Sequence, residues 1–425
     1  MARKLTSDES EIAPDFKPAG ERFTQHEYEF ELLTPMAGGG IESWIPDREN
    51  PVRTQSIKGQ LRFWWRTMQN EENAPDLKAG EDRLWGSTKG ASTVRLSVQL
   101  TKKETFKQIP WGGNNGDKLD FGGVSLPAYV FFPFQNTFSP GDRCNVIGSL
   151  GFTLKVACPL EQESEVSNSI KLWTLFGGLG ARTRRGCGSL YCKKIAEQFQ
   201  TTDDIDQFVR ELTGNQDEAM STTPYPRLAG AQLGARTSQN NDAAREWCAY
   251  LDRYGAFRQG PRVGRRPGAN NRPGRSYWPE PDAIRRITGQ NANNHQPEHP
   301  AGNWFPRGAY GLPILTEFRN AAGDPPGKYT LLPAGENQER WPSPVILKVT
   351  KLGNGNIARL CLILNDQGPQ SLKLEGPNLN PYILAPEEHS LACADKEMVE
   401  NTNILGSEEN PYNGLLRYLE MEGVA

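Results

Sequence analysis

In "HEYEFELLTP" the residues Tyr28, Phe30 and Leu32 alternate with Glu27, Glu29 and Glu31. A period of two predicts a half-buried strand, which Pro35 stops. From Ser56 the period lengthens: Ile57, Leu61, Trp64, Trp65 and Met68 recur at helical spacing, so they share about one third of a helix circumference, with Ser56 as the expected N-cap. Lys58, Arg62 and Arg66, four residues apart, form the adjoining stripe. Strand patterning returns in "STVRLSVQL" (Ser92–Leu100) and "GSLGFTLKVAC" (Gly148–Cys158), on either side of a Gly/Asn/Pro-rich insertion over 103–146. "NSIKLWTLFGGLG" opens as a helix with an Asn or Ser cap, breaks at its paired glycines and gives way to "GSLYCKKI", a fourth strand. Strand, helix, strand, strand, helix, strand is the split βαβ, ferredoxin-like order, one of the architectures that recognise RNA on a sheet face.

Beyond Ala196 the pattern predicts helices near 201–213 and 241–254, then the run from Arg253 to Trp278 with seven arginines and no acid. "PEPDAIRRITG" reads as a short helix. "YGLPILTEF", "KYTLLP", "PSPVILKVTKL" and "ARLCLILN" read as strands, and a short helix closes the pattern near Asn413–Leu419. The expected division is a loosely ordered tail over 1–24, an α+β domain over 25–196 and a second α+β domain over 197–425.

Length and composition refine this. A chain of 425 residues exceeds what one core usually supports, and 43 glycines with 32 prolines point to long irregular loops. The longest apolar run, "AYVFF" from Ala128, is far short of a membrane span, and no apolar leader opens the sequence, so a soluble cytoplasmic protein is expected. Seven scattered cysteines without a CxxC fit reduced thiols. His295 and His299 lack a second ligand pair, so no metal is expected. A net charge of −3 leaves nucleic-acid contact to local clusters of Arg and Lys.

The densest cluster is "FGGLGARTRRGCGSL", Phe176–Leu190. As a dinucleotide fingerprint it fails: Thr183 stands where the third glycine belongs, and the helix precedes rather than follows the loop. No GKS or GKT is present, so nucleotide hydrolysis and a nucleotide cofactor are disfavoured. Glycines that admit close backbone approach, beside Arg182, Arg184 and Arg185, suit a grip on phosphates; the alternative is a solvated basic turn. Gly59 costs its helix roughly 1 kcal/mol relative to Ala, which favours close approach of a ligand to the helix start, with Lys58, Arg62 and Arg66 tracking a phosphate backbone. The tryptophans of that helix read as core. The arginine run over 253–275 reads as an arm that orders on RNA, or as a solvated loop. Asp47 and His26 are the thin candidates for acid–base chemistry, without visible partners.

"SIKGQLRFWWR" followed by "LWTLFGGLGARTRRGCGSL" resembles the first-subunit family of the Cmr complex, in the RAMP superfamily of type III-B CRISPR effectors. "GRSYWPEPDAIRR", "FPRGAYGLPI" and "RWPSPVILK" continue the resemblance in the same order, over roughly residues 25 to 365. The resemblance implies two tandem ferredoxin-like (RRM-like) RAMP domains with long Gly/Pro-rich insertions. It implies a non-catalytic subunit that contacts the 3′ part of the CRISPR RNA, helps capture target RNA and assembles with the other Cmr subunits; with the fingerprints above absent, no cofactor is expected. Carried over by motif, Lys58, Gly59, Arg62 and Arg66 would face RNA, with Gly178, Gly180, Arg182, Arg184, Arg185 and Gly186 in the Gly-rich loop. Arg307 and Arg340 are weaker candidates. Asp47 lies where cutting relatives carry an Asp, but "IPDRENPVR" follows the non-cutting family. A metal-independent endoribonuclease and a pure assembly scaffold are the alternatives.

Overall fold

The computed structural model describes residues 23–43, 45–69, 73–110, 119–121, 124–126, 128–131, 143–213, 223, 225–260, 263–268, 273–318, 322–335, 338–385, 388, 405 and 410–419. Nearly all of the expected tail, parts of the 103–146 insertion, and Arg262 and Arg272 of the arginine run lie outside the described residues. The fold mixes helix and sheet. In the first half, β1 (Phe23–Leu32) and β2 (Met36–Ala37) precede α1 (Thr54–Thr67) and α2 (Ala74–Trp85). Next come β3 (Arg95–Pro110), the hairpin β4 (Leu119–Phe121) and β5 (Val124–Leu126), and α3 (Ala128–Phe131). β6 (Arg143–Pro159), α4 (Glu163–Phe176), β7 (Leu190–Tyr191) and α5 (Lys193–Ala196) complete the half. The strands β7, β1, β6 and β3 lie side by side, antiparallel throughout, and β2 also pairs with β6.

Several local expectations need correction. Helix α1 starts at Thr54 behind Arg53, so Ser56 is inside the helix rather than its cap. Strands β3 and β6 run well into the 103–146 insertion, and "GSLYCKKI" makes only a two-residue strand before α5. Helix α2 was not anticipated. The alternation in β1 does have the expected consequence: Tyr28 and Phe30 are buried and Glu27, Glu29 and Glu31 exposed. Phe30 packs 5.1 Å from Phe152 and 5.2 Å from Trp173, ring centre to ring centre, under Ile57, Leu61, Trp64 and Trp65 of α1, all in one core.

The second half begins with α6 (Thr202–Thr213), β8 (Arg227–Thr237), α7 (Ala243–Gln259), the hairpin β9 (Arg265–Pro267) and β10 (Pro273–Ser276), and α8 (Glu280–Thr288). It continues with β11 (Ile314–Glu317), β12 (Lys328–Pro333), β13 (Val345–Lys351), β14 (Ile357–Asn365), β15 (Leu372–Gly376) and β16 (Leu379–Ile383), then a last helix, Pro411–Tyr418. These strands build a three-stranded sheet, β13-β14-β8, and a separate four-stranded sheet, β11-β12-β15-β16. The run "VILKVTK" does not alternate because both faces of β13 are covered. Ile346 belongs to the core beneath α1 and α4, while Val345, Leu347 and Val349 pack with Trp247, Tyr250 and Tyr254 of α7. The first core therefore continues across residue 196 into β8, β13 and β14. A third core joins α8 to the four-stranded sheet.

The described part of the arginine run is not a free arm. Arg253 lies in α7 and donates to the Tyr418 carbonyl at 3.0 Å, and Arg258 lies 5.0 Å from the centre of the Tyr310 ring. In the hairpin, Arg275 pairs with Asp282 at 2.8 Å and Arg266 with Glu298 at 3.3 Å. Among the described residues no helix is long and apolar enough to cross a membrane.

Candidate nucleic-acid interface

Helix α1 buries Ile57, Leu61, Trp64 and Trp65 and turns Lys58, Gly59, Arg62 and Arg66 outward. Gly59 is one turn inside the helix, so its amide is not among the free ones at the helix start, which corrects the sequence-based expectation. A Cβ at this position would meet nothing within 4 Å. Nothing within the fold therefore requires a glycine here, and the same helix face carries Arg62 and Arg66, three and seven residues on. Partial burial, and then the like charge of Arg62, lowers the Lys58 pKa below its ordinary value.

The two arginines are held by a residue that sequence reasoning missed. Glu81 of α2 is 4% exposed, and its Oε1 accepts from Arg62 Nε at 2.6 Å and from Arg66 Nη1 at 2.7 Å. One carboxylate faces two guanidinium groups, which stay about one third exposed and leave an excess positive charge on this face.

The Gly-rich loop is turned inward. A Cβ on Gly178 would lie 2.6 Å from the Gly188 carbonyl oxygen, and one on Gly180, at φ +77°, 2.5 Å from that of Ala37. Gly186, at φ +73°, packs against the Trp247 ring. The close approach these glycines permit is to the protein's own backbone and side chains. Arg182 takes the left-handed conformation and donates from Nε to the Val130 carbonyl at 2.9 Å. Arg184 donates to the Ser343 carbonyl and lies 5.5 Å from the Phe63 ring centre, so it links the loop to α1. Burial, reinforced by the neighbouring Arg185, brings its pKa down to about 10.

Arg185 and Arg307 are corrected as surface candidates, because both are buried. Arg185 is 7% exposed; its guanidinium donates to the carbonyls of Val345 at 2.6 Å and Arg184 at 3.0 Å, to Ser343 Oγ at 3.0 Å and to Tyr254 Oη at 3.2 Å. Arg307 sits in a 3₁₀ turn with its Nε 3.1 Å from Glu280 Oε2. Arg340 is exposed. Lys348 of β13, which the strand pattern concealed, is fully buried and donates to the Gly177 carbonyl at the head of the loop.

The open sheet face is acidic along its central strand. Its central strand β1 presents Glu27, Glu29 and Glu31, of which only Glu27 has an ion pair among the described residues, to Lys155 at 3.1 Å. A phosphate backbone laid there would meet like charge, so the helix side is the electrostatically favourable one. Asp47 Oδ1 accepts the amides of Glu49 and Asn50, both at 3.0 Å, and shapes its own turn. His26 Nε2 lies 2.6 Å from Glu163 Oε1, while His295 and His299 have separate partners, Asp324 and the Tyr277 carbonyl.

Comparison with known proteins adds the lineage. The RAMP superfamily model matches residues 29–191. The CRISPR system Cmr subunit Cmr1-1 of Pyrococcus furiosus is 26% identical over 228 residues, which is 50% of this chain and 60% of the relative's own length. The crystal structure of apo Cmr1 from Pyrococcus furiosus aligns with 85% of this chain and 94% of that chain, at 18% identity and a TM-score of 0.46. A chain of the type III-B Cmr-beta assembly bound to cognate target RNA aligns over 81% and 95%, at 13% identity and a TM-score of 0.46. Residues 29–191 thus form a RAMP superfamily domain, in a chain homologous to Cmr1 of Pyrococcus furiosus.

Proposed function

We propose that this chain is a non-catalytic, RNA-binding subunit of a cytoplasmic type III-B Cmr ribonucleoprotein, contacting the 3′ part of the CRISPR RNA and helping capture complementary target RNA. The observation that carries the reading is the outward face of α1, where Gly59 has no internal cause and lies among Lys58, Arg62 and Arg66. Arg184, partly exposed beside Phe63, extends that face, and Arg182, also partly exposed, and Arg340 are further contacts. Two ferredoxin-like domains, 25–196 and 197–425, are the architecture we infer. The strand order β7-β1-β6-β3 supports the first, and β8, α7, β13 and β14 follow the same plan without a fourth strand in their sheet. Asp47, whose Oδ1 accepts the amides of its own turn, supports a reading without cleavage chemistry at that residue.

Titrating labelled single-stranded RNA with the full chain at several salt concentrations tests this. Lys58→Ala should weaken binding about threefold or more and reduce the salt slope by about 0.7 for the lost phosphate contact. Gly59→Ala should raise helix stability by about 1 kcal/mol and yet weaken RNA binding, because its methyl group occupies the approach. Unchanged affinity in both variants would remove α1 from the interface, and RNA cleavage in chelator that Asp47→Ala abolishes would establish the endoribonuclease instead.

Glu81→Gln provides an independent prediction. Removing the shared carboxylate charge should cost about 2 kcal/mol of stability, since a largely buried acceptor of two guanidinium groups is weakened. It should also tighten RNA binding several-fold at low salt and steepen the salt slope, because two guanidinium groups become available to phosphates. Weaker binding would mean that Glu81 aims the arginines rather than masks them.

A further inference from the structure

Between α2 and β3 the chain makes a small turn, Gly86-Ser87-Thr88-Lys89-Gly90. Its base is fixed. Gly86 has φ +79°, and a Cβ there would lie 2.6 Å from the Ser92 amide nitrogen. Ser92 Oγ donates toward the Leu84 and Val94 carbonyls at 3.0 and 2.7 Å, and Thr93 Oγ1 reaches Gln162 Oε1 at 2.7 Å. The turn closes through the Ser87 amide on the Gly90 carbonyl at 2.9 Å and the Lys89 amide on Ser87 Oγ at 3.2 Å.

Several of the groups left over suit an anion. The amides of Thr88 and Gly90 have no acceptor among the described residues. Thr88 and Lys89 are exposed, and no acid occurs from Gly86 to Ser92. Gly90 repeats the property of Gly59: its φ is not left-handed and a Cβ would meet nothing within 4 Å. A glycine that neither a strained backbone nor a crowded site demands leaves its amide open to a close ligand. The turn also adjoins the basic helix, since Arg62 Nη1 lies 3.4 Å from the Gly86 carbonyl oxygen, one helical turn along from Lys58 and Gly59.

We propose that the Gly86–Gly90 turn is a second phosphate-gripping site, in which the Thr88 and Gly90 amides and the Lys89 ammonium hold an RNA phosphodiester next to the one held by α1. The inference rests on the RNA-binding reading above. The turn is an open surface rather than a pocket, so it recognises backbone charge without base identity and acts together with α1 on one strand.

The test compares wild type, Lys58→Ala, Lys89→Ala and Gly90→Leu as full chains, alone and in the assembled complex, by RNA titration across a salt series with thermal unfolding measured in parallel. Lys89→Ala should weaken binding about threefold and lower the salt slope by about 0.7. Gly90→Leu should weaken binding with the slope nearly kept, and the unfolding temperature should not move in either variant. If Lys58→Ala weakens RNA binding while both turn variants bind like wild type, the turn is not a site and the RNA-binding reading stands. If wild type binds no RNA in either setting, or Lys58→Ala is also silent, that reading falls and the turn falls with it.

Discussion

Replacing Arg185 by Met is expected to cost about 3 kcal/mol or more of stability. Arg185 is 7% exposed and has no carboxylate partner among the described residues; its acceptors are the Val345 and Arg184 carbonyls and the Ser343 and Tyr254 hydroxyls. It also lies 4.9 Å from the Tyr254 ring centre. Hydrogen bonds from a charged donor contribute about 1.5–3 kcal/mol each, and removing the donor leaves buried oxygens unsatisfied at a further cost. Relief from burying the charge offsets part of this, which is why the expected loss is well below the sum of the bonds. The loss falls on the junction between the halves, because Val345 opens β13 and Tyr254 belongs to α7, while the Arg185 carbonyl accepts from Trp247 Nε1 at 2.7 Å. Denaturant unfolding of Arg185→Met, with Arg185→Lys as an intermediate case and exposed Arg340→Ala as a control within about 0.5 kcal/mol of wild type, measures it. A Met variant as stable as wild type would remove the loop's role as the tie between the halves.

That role was not legible in the sequence, because the composition of "GARTRRG" gives charge and backbone freedom but not direction. A guanidinium that meets phosphate and one that meets buried carbonyls need the same residue. Arg307 misled in the same way. The first half was readable wherever a single face is buried: β1 alternates and α1 has a clear apolar stripe. Helix α2 was hidden for two physical reasons. Its buried positions Leu77, Glu81, Leu84 and Trp85 have helical spacing, but one of the four is a carboxylate committed to Arg62 and Arg66. Its Gly80, a poor helix former, lets the helix sit against the Trp65 ring, which a Cβ there would approach to 3.2 Å. Both residues make sense only once α1 is beside α2, and that contact is tertiary. Gly59 is the converse case. Its unusual cost was readable in the sequence, and the open space around it turns that cost toward a ligand rather than toward packing.

Lys348 predicts a second large effect, on the pH dependence of stability. It is fully buried in β13, with its ammonium directed to the Gly177 carbonyl, and burial brings its pKa down from 10.5 to about 7, slightly opposed by Cys187. Between those two values the unfolded chain holds a proton that the folded chain has released, so unfolding becomes harder as pH rises. Below about pH 7 both states are protonated and the folded state carries the whole penalty of a buried charge; above the ordinary lysine value the penalty is gone. Lys348→Met removes the titration. The Met variant should therefore be more stable than wild type near pH 6, and its advantage should shrink by about 1 kcal/mol per pH unit from pH 7 towards pH 9. The Gly177 carbonyl loses its donor in this variant, which lowers the difference by about 1–2 kcal/mol at every pH without changing the slope. Measuring both proteins in the same buffers cancels the groups they share, so a difference that stays flat from pH 6 to pH 9 would show that Lys348 does not release its proton on folding. A sloping difference would place a titrating amine on the first glycine of the Gly-rich loop, making the tie between the halves weaker in acid than in base.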